Sequence, residues 1–543
     1  MLCDFDYIII GAGSAGCVLA DKLTVSGKNT VLLIEAGPSD NKFWIKTPIG
    51  YGITFTDRSI NWCYNTLPEK NLNNRIIYMP RGKVLGGSSS INALVYHRGQ
   101  SKDYNDWEVE GNPGWDYNSL IQYFNSFEFI KNTEDKTEKN FNQNLLSINN
   151  AWEDYHPIKK NFLDCCMQAQ ITSSKFGYIE GEGIGPYSIT TKNGKRCSSS
   201  DSFLKPSVKR TNLKVLTNTI VKKILIKKEL AVGVELTRNS WLQKKETLIM
   251  NAKKEVVLCA GAINSPQLLQ LSGIGERQLL EQHQINVVLD QPNVGMNLQD
   301  HLGINYYSKA SIPTLNDVLG NWNGLLKSGI EYIFKGTGPL SLGVNQIGGL
   351  AKSSASENDA DMQLYLNPVS YSIRQGNVRK LTKPDKFSGF FLSFNSCRPY
   401  SRGQVKIQSS DPQIPPKILC NYLSEKKDIE DIIKGASLIS RMQETEAIKG
   451  ILKEAPFTPL RNMTDDEIIY DFKNRAGTVF HPCGTCRMGP DPRTSVVDPK
   501  LKVHNIDNLR VVDASIFPNI TSANTNAPTI MVAHKAADMM LDS

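Results

Sequence analysis

The sequence predicts an α/β protein of more than one domain, on three observations. The chain has 543 residues, which exceeds one ordinary hydrophobic core. Residues 6–10 read as a buried parallel strand, followed by a glycine turn and a helical pattern. A second apolar strand, residues 31–34, then runs into the carboxylate of Glu35. Strand, turn, helix and strand in this order are typical of an open sheet with parallel strands.

The glycine turn has the spacing of a dinucleotide-binding site. In Gly11-Ala-Gly13-Ser-Ala-Gly16, the first glycine permits the tight turn, the second lets backbone amides approach a pyrophosphate, and the third lets the helix pack on the strand. Glu35 stands 24 residues after Gly11, where a ribose hydroxyl needs an acceptor. NAD and FAD share this pattern, so the turn alone does not choose between them. The predicted contacts are Gly11, Gly13, Ser14, Ala15, Gly16, Glu35 and Ala36.

Composition and charge exclude several classes of protein. Hydrophobic residues make up 40% of the chain and charged residues 21%, which is typical of a globular protein rather than a disordered or fibrous one. The formal net charge is +8, but the basic residues are scattered, so we expect no nucleic-acid groove. No window reaches the ~20 apolar residues that a spanning helix needs, although peripheral attachment to a membrane stays open.

The N-terminus and the cysteines indicate a reducing compartment. The first residues lack the positive region and the apolar core of a signal peptide. The 11 cysteines are odd in number and have no disulfide spacing, so we predict a cytoplasmic location, free or peripheral to the inner membrane. Cys483-Gly-Thr-Cys486 lacks a second pair of ligands. We therefore predict no metal site and interpret these cysteines as two small half-buried thiols.

A glycine-dense stretch, residues 82–99, is predicted to be a ligand-binding loop. It reads Gly82-Lys-Val-Leu-Gly-Gly-Ser-Ser-Ser-Ile-Asn-Ala-Leu-Val-Tyr-His-Arg-Gly99 and has no helical or strand period. Consecutive glycines and small hydroxyl side chains let the backbone approach a diphosphate or a flavin ring closely. By composition alone, a flexible surface loop stays an alternative.

This loop resembles the first signature of the glucose-methanol-choline (GMC) family of flavin oxidoreductases, over residues 82–105. Residues 261–275 resemble the second signature, and residues 295–301 resemble the segment that follows it. The block from His481 through Asp513 to Pro528 is similar to the C-terminal part of the family. The resemblance therefore covers nearly the whole chain.

The resemblance implies a Rossmann-like FAD-binding domain and a substrate domain in which helices cover one side of an antiparallel sheet. The fold class is then α/β, with an α+β substrate domain. We expect the FAD-binding domain to be noncontiguous, over residues 1–155, 213–308 and 473–543. The substrate domain is expected over residues 156–212 and 309–472.

The same resemblance implies FAD and assigns further contacts to it. Some family members bind FAD covalently through a histidine of the first signature, but Ile91 stands at that position here, so noncovalent FAD is the prediction. Val221 is expected at the adenine edge, Asp513 and Ala514 along the ribityl and pyrophosphate chain, and residues 92–95 along the flavin ring. The contacts beyond the glycine turn are Gly82, Leu85, Gly86, Gly87, Ser89, Asn92, Ala93, Leu94, Val95, Val221, Asp513, Ala514, Asn526 and Pro528.

His481 and Asn524 are the predicted catalytic pair. Flavin oxidation of an alcohol requires the hydroxyl proton to leave while the α-hydrogen passes as hydride to flavin N5, and an imidazole suits the base role near neutral pH. Of the seven histidines, His481 lies in the block that resembles the family's active site, and Asn524 stands where the family has His or Asn. His97 and His301 also lie in motifs, but we interpret them as structural.

The C-terminal helix is predicted to begin at the active site. Its pattern starts with Asn526 as N-cap and has Pro528 in the first turn. A helix N-terminus aimed at the flavin would stabilise the negative charge of reduced flavin by about 1 kcal/mol. The alternative is a capped surface helix that does not face the flavin.

The predicted substrate is a neutral primary alcohol, aliphatic or aromatic. Choline-oxidising relatives hold a trimethylammonium group with aromatic residues and a carboxylate, whereas Gln346 stands where we align that carboxylate. Candidates to line the pocket are Tyr51, Phe55, Trp62 and Phe480. Choline stays an alternative. The electron acceptor is O₂, a quinone or another carrier, and we favour a dehydrogenase.

Two further functions stay open from the sequence. The family's scaffold also hosts hydroxynitrile lyases, which bind FAD without redox turnover. A noncatalytic flavin-binding protein is the other, and the intact pair of His481 and Asn524 argues against it. The oligomeric state is not predicted.

Overall fold

The computed structural model describes residues 4–131, 144–239, 245–371 and 383–542. Within these residues the chain forms two large sheets, and the first has seven strands. Its parallel part consists, in spatial order, of Leu213–Leu216, Val31–Ile34, Asp4–Ile10 and the C-terminal half of Lys245–Leu258, to which Leu509–Val511 also pairs. Leu230–Asn239 and Thr219–Lys227 continue the sheet in antiparallel direction.

The centre of this sheet is buried on both faces, which explains its continuous apolar sequence. Ile8, Ile9, Leu32 and Leu33 are fully buried, as expected for parallel strands covered by helices. The helix Ser14–Thr24 lies against the turn because Gly16 has no side chain: a Cβ there would stand 1.9 Å from the carbonyl oxygen of Gly11.

The second sheet is antiparallel and has six strands in the described part of the chain. In spatial order these are Gly477–Thr478, Leu302–Lys309, Gly389–Ser396, Met362–Asn367, Ile347–Ala351 and Gly183–Pro186. The helix Lys426–Gln443 covers one face, and Gly435 comes so close to Phe394 that a Cβ would lie 2.1 Å from its ring. The predicted α/β fold, with an antiparallel sheet covered by helices as its second part, is confirmed.

Smaller strands and the helices complete the architecture. A four-stranded sheet consists of Val95–Tyr96, Ser188–Ile189, Leu146–Asn150 and Glu128–Lys131. Two-stranded pairs are Tyr64–Asn65 with Tyr78–Met79, Thr191–Lys192 with Lys195–Arg196, Ile274–Gly275 with Leu289–Asp290, and Gln404–Lys406 with Lys417–Leu419. The α-helices are Ser14–Thr24, Phe43–Lys46, Tyr51–Thr54, Ser101–Val109, Tyr117–Phe127, Lys159–Gln168, Lys205–Ser207, Gly261–Leu271, Arg277–Gln282, Leu315–Leu319, Trp322–Lys335, Lys426–Gln443, Glu446–Lys449, Asp465–Arg475 and Asn526–Leu541.

The second sheet draws on two strands from segments that the sequence analysis assigned to the FAD-binding domain. Leu302–Lys309 falls within residues 213–308 except for its last residue, and Gly477–Thr478 falls within residues 473–543. The predicted domain boundaries stay a proposal.

Three properties of the described residues bear on the earlier expectations. No helix among them is long and apolar enough to cross a membrane. Their cysteines are all free, and Cys483 and Cys486 are fully buried rather than half-buried. No group of three or more His, Cys, Asp or Glu side chains in this part of the chain is arranged to hold a metal ion.

Candidate active site

A cavity of about 370 Å³ is lined by residues of both large sheets. Both residues of the predicted catalytic pair, His481 and Asn524, line it. The predicted cofactor residues that line it are Gly11, Gly13, Ser14, Ala15, Glu35, Ala36, Gly82, Gly87, Asn92, Ala93, Leu94, Val95, Val221, Asp513, Ala514 and Asn526. Those that do not are Gly16, Leu85, Gly86, Ser89 and Pro528. The structure thus brings the two predicted sites together in one cavity.

Three helices begin at the wall of this cavity, and none is capped by the side chain of its own N-cap residue. They are Ser14–Thr24, Gly261–Leu271 and Asn526–Leu541. Residues of the first turn of each helix line the cavity. Because uncapped N-termini present free backbone N–H groups and positive partial charge, the end of the cavity at the glycine turn fits an anionic cofactor such as the pyrophosphate of FAD.

Two buried carboxylates fix the backbone around this end. Glu35 accepts hydrogen bonds from the N–H groups of Ala12 (3.0 Å) and Gly37 (2.9 Å), which holds the glycine turn against the second strand. Burial raises the pKa of Glu35 to about 7. Asp513 accepts from the Gly261 N–H at 2.8 Å, and burial raises its pKa. Both oxygens of Glu35 keep a lone pair for a ligand hydroxyl, as does Asp513 Oδ1, whereas Asp513 Oδ2 also accepts from the Ser265 hydroxyl.

The predicted cofactor residues outside the lining support the cavity wall from behind. Gly86 has φ +85° and donates its N–H to the carbonyl of Ala12 at 2.7 Å. Ser89 donates its hydroxyl to the Gly86 carbonyl and accepts from the N–H of Ser199. These contacts join the loop of residues 82–99 to the glycine turn, so the loop is packed rather than a flexible surface segment.

Arg196 holds the part of this loop that was expected along the flavin ring. Its guanidinium donates to the side-chain oxygen of Asn92 (2.7 Å), to the Asn92 carbonyl (2.7 Å) and to the Ser89 carbonyl (3.2 Å). Burial lowers the pKa of Arg196 to about 10. Two residues further on, Leu94 has φ +71°, an unfavourable value for leucine that the surrounding contacts must maintain.

The imidazole of His481 lies in a chain of hydrogen bonds that fixes its tautomer. His301 Nε2 lies 3.0 Å from the Cys397 carbonyl oxygen, which can only accept, so this nitrogen carries the proton. His301 Nδ1 is then an acceptor in the neutral ring, and the His481 Nδ1–H donates to it at 2.9 Å. Consequently His481 Nε2 presents a lone pair towards the Asn524 side-chain nitrogen, 3.0 Å away.

The electrostatic environment keeps His481 neutral. Burial, the neighbouring His301 and the charge of Arg81 hold the pKa of His481 well below its ordinary value of 6.5. Burial also lowers the pKa of His301 to about 4. A neutral imidazole with a free Nε2 lone pair is the protonation state that a general base requires.

The backbone around His481 is held by charged side chains. Phe480 has φ +73°, and Arg81 donates to its carbonyl at 3.0 Å. The N–H of His481 donates to Asp300 at 2.8 Å, and Tyr422 donates its hydroxyl to the other oxygen of that carboxylate at 2.6 Å. A bulky residue at positive φ costs about 1–3 kcal/mol, so these bonds must offset strain beside the imidazole.

Asn524 is oriented from the side away from His481. Gln363, on the strand Met362–Asn367, donates its side-chain N–H to Asn524 Oδ1 at 3.2 Å. With its oxygen occupied in this way, Asn524 turns its NH₂ group towards His481 Nε2.

Comparison with known proteins identifies the family. Residues 5–303 and 399–533 match the N-terminal and C-terminal models described as GMC oxidoreductase. The chain belongs to the GMC oxidoreductase family. It is 39% identical to the "Alcohol dehydrogenase [acceptor]" of Pseudomonas putida, over 99% of this chain and 96% of that protein. It is 37% identical to the mitochondrial choline dehydrogenase of Homo sapiens, over 99% and 90% of the two chains.

A solved structure of another protein with the same fold supports this assignment. Pyridoxine 4-oxidase from Mesorbium loti superposes with a TM-score of 0.86 and is 26% identical, covering 99% of each chain. This GMC oxidoreductase is therefore a flavoprotein that acts on CH–OH donors with FAD as cofactor.

The helix Asn526–Leu541 corrects one detail of the sequence analysis of this GMC oxidoreductase. Asn526 was expected as its N-cap, but the N-cap is Thr525 and Asn526 is the first helical residue. Its side-chain oxygen accepts from the hydroxyl of Ser14 at 2.7 Å instead of from a backbone N–H of its own helix. Asn526 thus joins two of the helix N-termini that face the cavity.

Sequence reasoning missed several residues of the site. His301 was interpreted as structural because a single histidine in a motif usually is, yet its ring contacts His481. Its place in the segment 295–301, next to Asp300, was the available signal. No local sequence signal identifies Arg196 or Gln363, because each contacts its partner from a distant part of the chain.

Aromatic side chains line the part of the cavity where the substrate was expected. Tyr51, Phe55, Trp62 and Phe480, which were candidates from the sequence, all line it. They are joined there by Tyr365, Tyr371 and Phe391. Gln346 does not line the cavity; it accepts from the N–H of His156 at 2.9 Å, and its neighbour Asn345 lines the cavity instead.

Proposed function

We propose that this GMC oxidoreductase oxidises a primary alcohol to an aldehyde, with His481 as the base and Asn524 as the residue that positions the hydroxyl. The observation that carries the proposal is the hydrogen bond of 3.0 Å in which the Nε2 lone pair of a neutral His481 accepts from the Asn524 NH₂ group, in the cavity that three helix N-termini line. Bound FAD supplies the hydride acceptor at N5.

In this mechanism the chain's own groups handle the proton. An alcohol oxygen that replaces the direct bond between the two side chains would accept from Asn524 and donate its proton to His481 Nε2. The resulting imidazolium donates through Nδ1 to His301, which stays an acceptor because its other nitrogen donates to Cys397. Asn524 also stabilises the alkoxide character that develops as the proton leaves.

We further propose that FAD is bound noncovalently, at the cofactor residues predicted from the sequence. Ile91, which aligns with the histidine that bears FAD in some relatives, lines the cavity and offers no nucleophile. Among the described lining residues, His481 is the only histidine, and it is the proposed base. Acid precipitation should release all of the flavin into the supernatant, whereas a flavin retained in the pellet would contradict noncovalent binding.

A neutral alcohol fits the cavity better than choline. Of the described residues that line it, only Glu35 and Asp513 are carboxylates, and they accept from backbone N–H groups of the glycine turn and of the helix Gly261–Leu271. Arg81 lines the cavity beside His481 and contributes positive charge there. A trimethylammonium group would meet this cation, and Asp300, the carboxylate next to His481, does not line the cavity.

The direct test is anaerobic reduction of the flavin in the purified holoenzyme. We expect neutral primary alcohols to bleach the oxidised flavin band and to yield the aldehyde, and choline to do so at least about tenfold more slowly at equal concentration. If choline were the faster substrate, the substrate assignment would be wrong. If no alcohol bleached the band while mandelonitrile was cleaved, a lyase would replace the proposed oxidoreductase.

The electron acceptor and the location also belong to this proposal. We propose a dehydrogenase that passes electrons to a quinone or another carrier, in the cytoplasm or at the inner membrane. Turnover with a quinone or dye but slowly with O₂ supports this assignment, and fast turnover with O₂ alone contradicts it.

A further inference from the structure

The helix Trp322–Lys335 turns its apolar side away from the protein. Trp322 is 77% exposed, Ile333 69% and Phe334 81%, although all three are large hydrophobic side chains. The helix is flanked by an Asn321 N-cap and a left-handed Gly336, so it is a regular, well-terminated element. A surface helix of a globular protein normally shows the opposite arrangement, with its apolar stripe on the core.

Few residues of this helix face inward, and they are partly polar. Ser328 and Tyr332 are its buried residues. Tyr332 belongs to the same hydrophobic cluster as Tyr51, Val344 and Tyr371, and these three line the cavity. Packing against the protein therefore does not require the apolar residues on the outward side of this helix. The same helix lies behind the substrate end of the cavity.

The apolar surface extends to a neighbouring short helix. Phe43 is 54% exposed, and its ring centroid lies 6.4 Å from that of Tyr332 and 5.0 Å from that of Trp44. We define the docking face as the set of exposed apolar residues on these two helices. Its members are Phe43, Trp44, Trp322, Leu325, Leu326, Ile330, Ile333 and Phe334.

We propose that the docking face binds the surface of an anionic lipid bilayer. The helix has 14 residues, which is too short to span the ~30 Å hydrocarbon core at about 1.5 Å per residue, so it would lie in the plane of the interface. Tryptophan and phenylalanine favour this boundary. Lys327 and Lys335 are exposed, whereas Glu331 is half-buried and accepts from the hydroxyl of Thr337, so the exposed charge of the helix is positive.

This charge distribution favours lipid over a protein partner. Lysine is depleted in the cores of protein interfaces, because its strongly hydrated ammonium group loses water there. At a bilayer the long side chain buries its methylene groups and keeps the ammonium at the headgroups. A second copy of this chain docked on the same face would bring like charges together.

Docking here would place the substrate end of the cavity close to the lipid. The proposal sharpens the proposed location at a membrane but does not depend on the proposed reaction, because vesicle binding can be measured without turnover. It also agrees with the absence, among the described residues, of a helix able to cross a membrane.

The test is flotation of the purified holoenzyme with vesicles of phosphatidylcholine and phosphatidylglycerol. We expect the unmodified protein to float with these vesicles. The double variant Ile333→Glu, Phe334→Glu should lose binding by at least about tenfold, because two carboxylates replace apolar anchors. Lys327→Ala should weaken binding to anionic vesicles by about fivefold and leave binding to pure phosphatidylcholine unchanged.

Phe176→Glu is the matched control, because Phe176 is 67% exposed but lies outside the docking face. It should float like the unmodified protein. Flavin absorbance and the melting temperature of each variant report folding. The proposal is overturned if the unmodified protein does not float, if the double variant floats equally well, or if light scattering shows a dimer that the double variant abolishes.

Discussion

The two ends of the cavity present different chemical groups, backbone at one end and side chains at the other. The end with the glycine turn presents mainly backbone, at the N-caps Gly13 and Ala260, neither of which supplies a capping side chain. The N-cap of the third helix, Thr525, directly follows Asn524 and therefore joins this end to the other. The other end presents side chains, with His481 and Asn524 facing each other at 3.0 Å among aromatic rings. One end therefore suits an anion of fixed shape, and the other suits a reacting hydroxyl.

This difference decides how each end responds to substitution. A backbone site tolerates many side chains but fails when a Cβ fills the space that a ligand or a neighbouring turn needs. A side-chain site keeps its shape after substitution but loses the proton transfer or the hydrogen bond of the altered group. Substitutions at the backbone end should therefore affect flavin binding, and substitutions at the side-chain end should affect turnover.

The largest effect is expected at Gly11, where any side chain meets the backbone. Gly11 has φ +101°, and a Cβ would lie 2.5 Å from the carbonyl oxygen of Cys259. Gly11→Ala should yield protein without flavin and without activity, as measured by absorbance and turnover. Gly27→Ala is the control, because Gly27 also has positive φ, +74°, but no atom lies within 4 Å of its Cβ position. A yellow, active Gly11→Ala protein would contradict the assignment of this turn.

The next effect is expected at His481. The His481→Ala variant should bind flavin normally. The alcohol should reduce its flavin about 10²- to 10⁴-fold more slowly, because no base is present to accept the hydroxyl proton. Stopped-flow reduction under anaerobic conditions measures this step. His283→Ala serves as the control, since His283 lies outside the cavity lining. If His481→Ala kept full turnover, the base would be elsewhere or the hydroxyl would need none.

The sequence indicated the segments that form the backbone end because its signals are local. The glycine turn, Glu35 and the loop of residues 82–99 are continuous segments, and their contacts run to neighbouring strands and turns. The proposed catalytic pair was predicted only because the C-terminal block resembles a known family. Periodicity and composition alone would not have brought His481 and Asn524 together.

The remaining residues of the site escaped prediction for a physical reason. Gln363 contacts Asn524 across 161 residues, and Arg196 contacts Asn92 across 104. These bonds depend on the pairing of the antiparallel sheet and on the packing of one domain on the other, which a single sequence does not specify. The strand Leu302–Lys309 lies across a predicted domain boundary for the same reason.

A smaller effect is expected from His301, which acts through His481. His301→Leu removes the acceptor of the His481 Nδ1–H, and this bond is charge-assisted once the base is protonated. Such bonds contribute about 1.5–3 kcal/mol, so kcat should fall roughly ten- to hundredfold with flavin retained. His301→Gln, whose side-chain oxygen can accept the same bond, should recover part of this loss. Equal activity of the two variants would indicate a purely structural role.

A weaker effect is expected at Gln363, because its bond to Asn524 joins neutral groups. Gln363→Leu removes the donor to Asn524 Oδ1 and should lower kcat/KM for the alcohol by about fivefold, the equivalent of about 1 kcal/mol. The flavin spectrum and the melting temperature check that the cavity is intact. An unchanged kcat/KM would mean that Asn524 is oriented by other contacts.

The smallest effect is expected from pH in the unmodified protein. The base is active when neutral, so kcat/KM falls as the pH drops through the pKa of His481. Since burial, His301 and Arg81 lower that pKa well below 6.5, a change from pH 8 to pH 6.5 should alter kcat/KM by less than about twofold. An imidazole with an ordinary pKa would already be half protonated at pH 6.5. If kcat/KM were half-maximal at or above this pH, His481 would be more exposed to solvent than its buried hydrogen-bond chain implies, or another group would be the base.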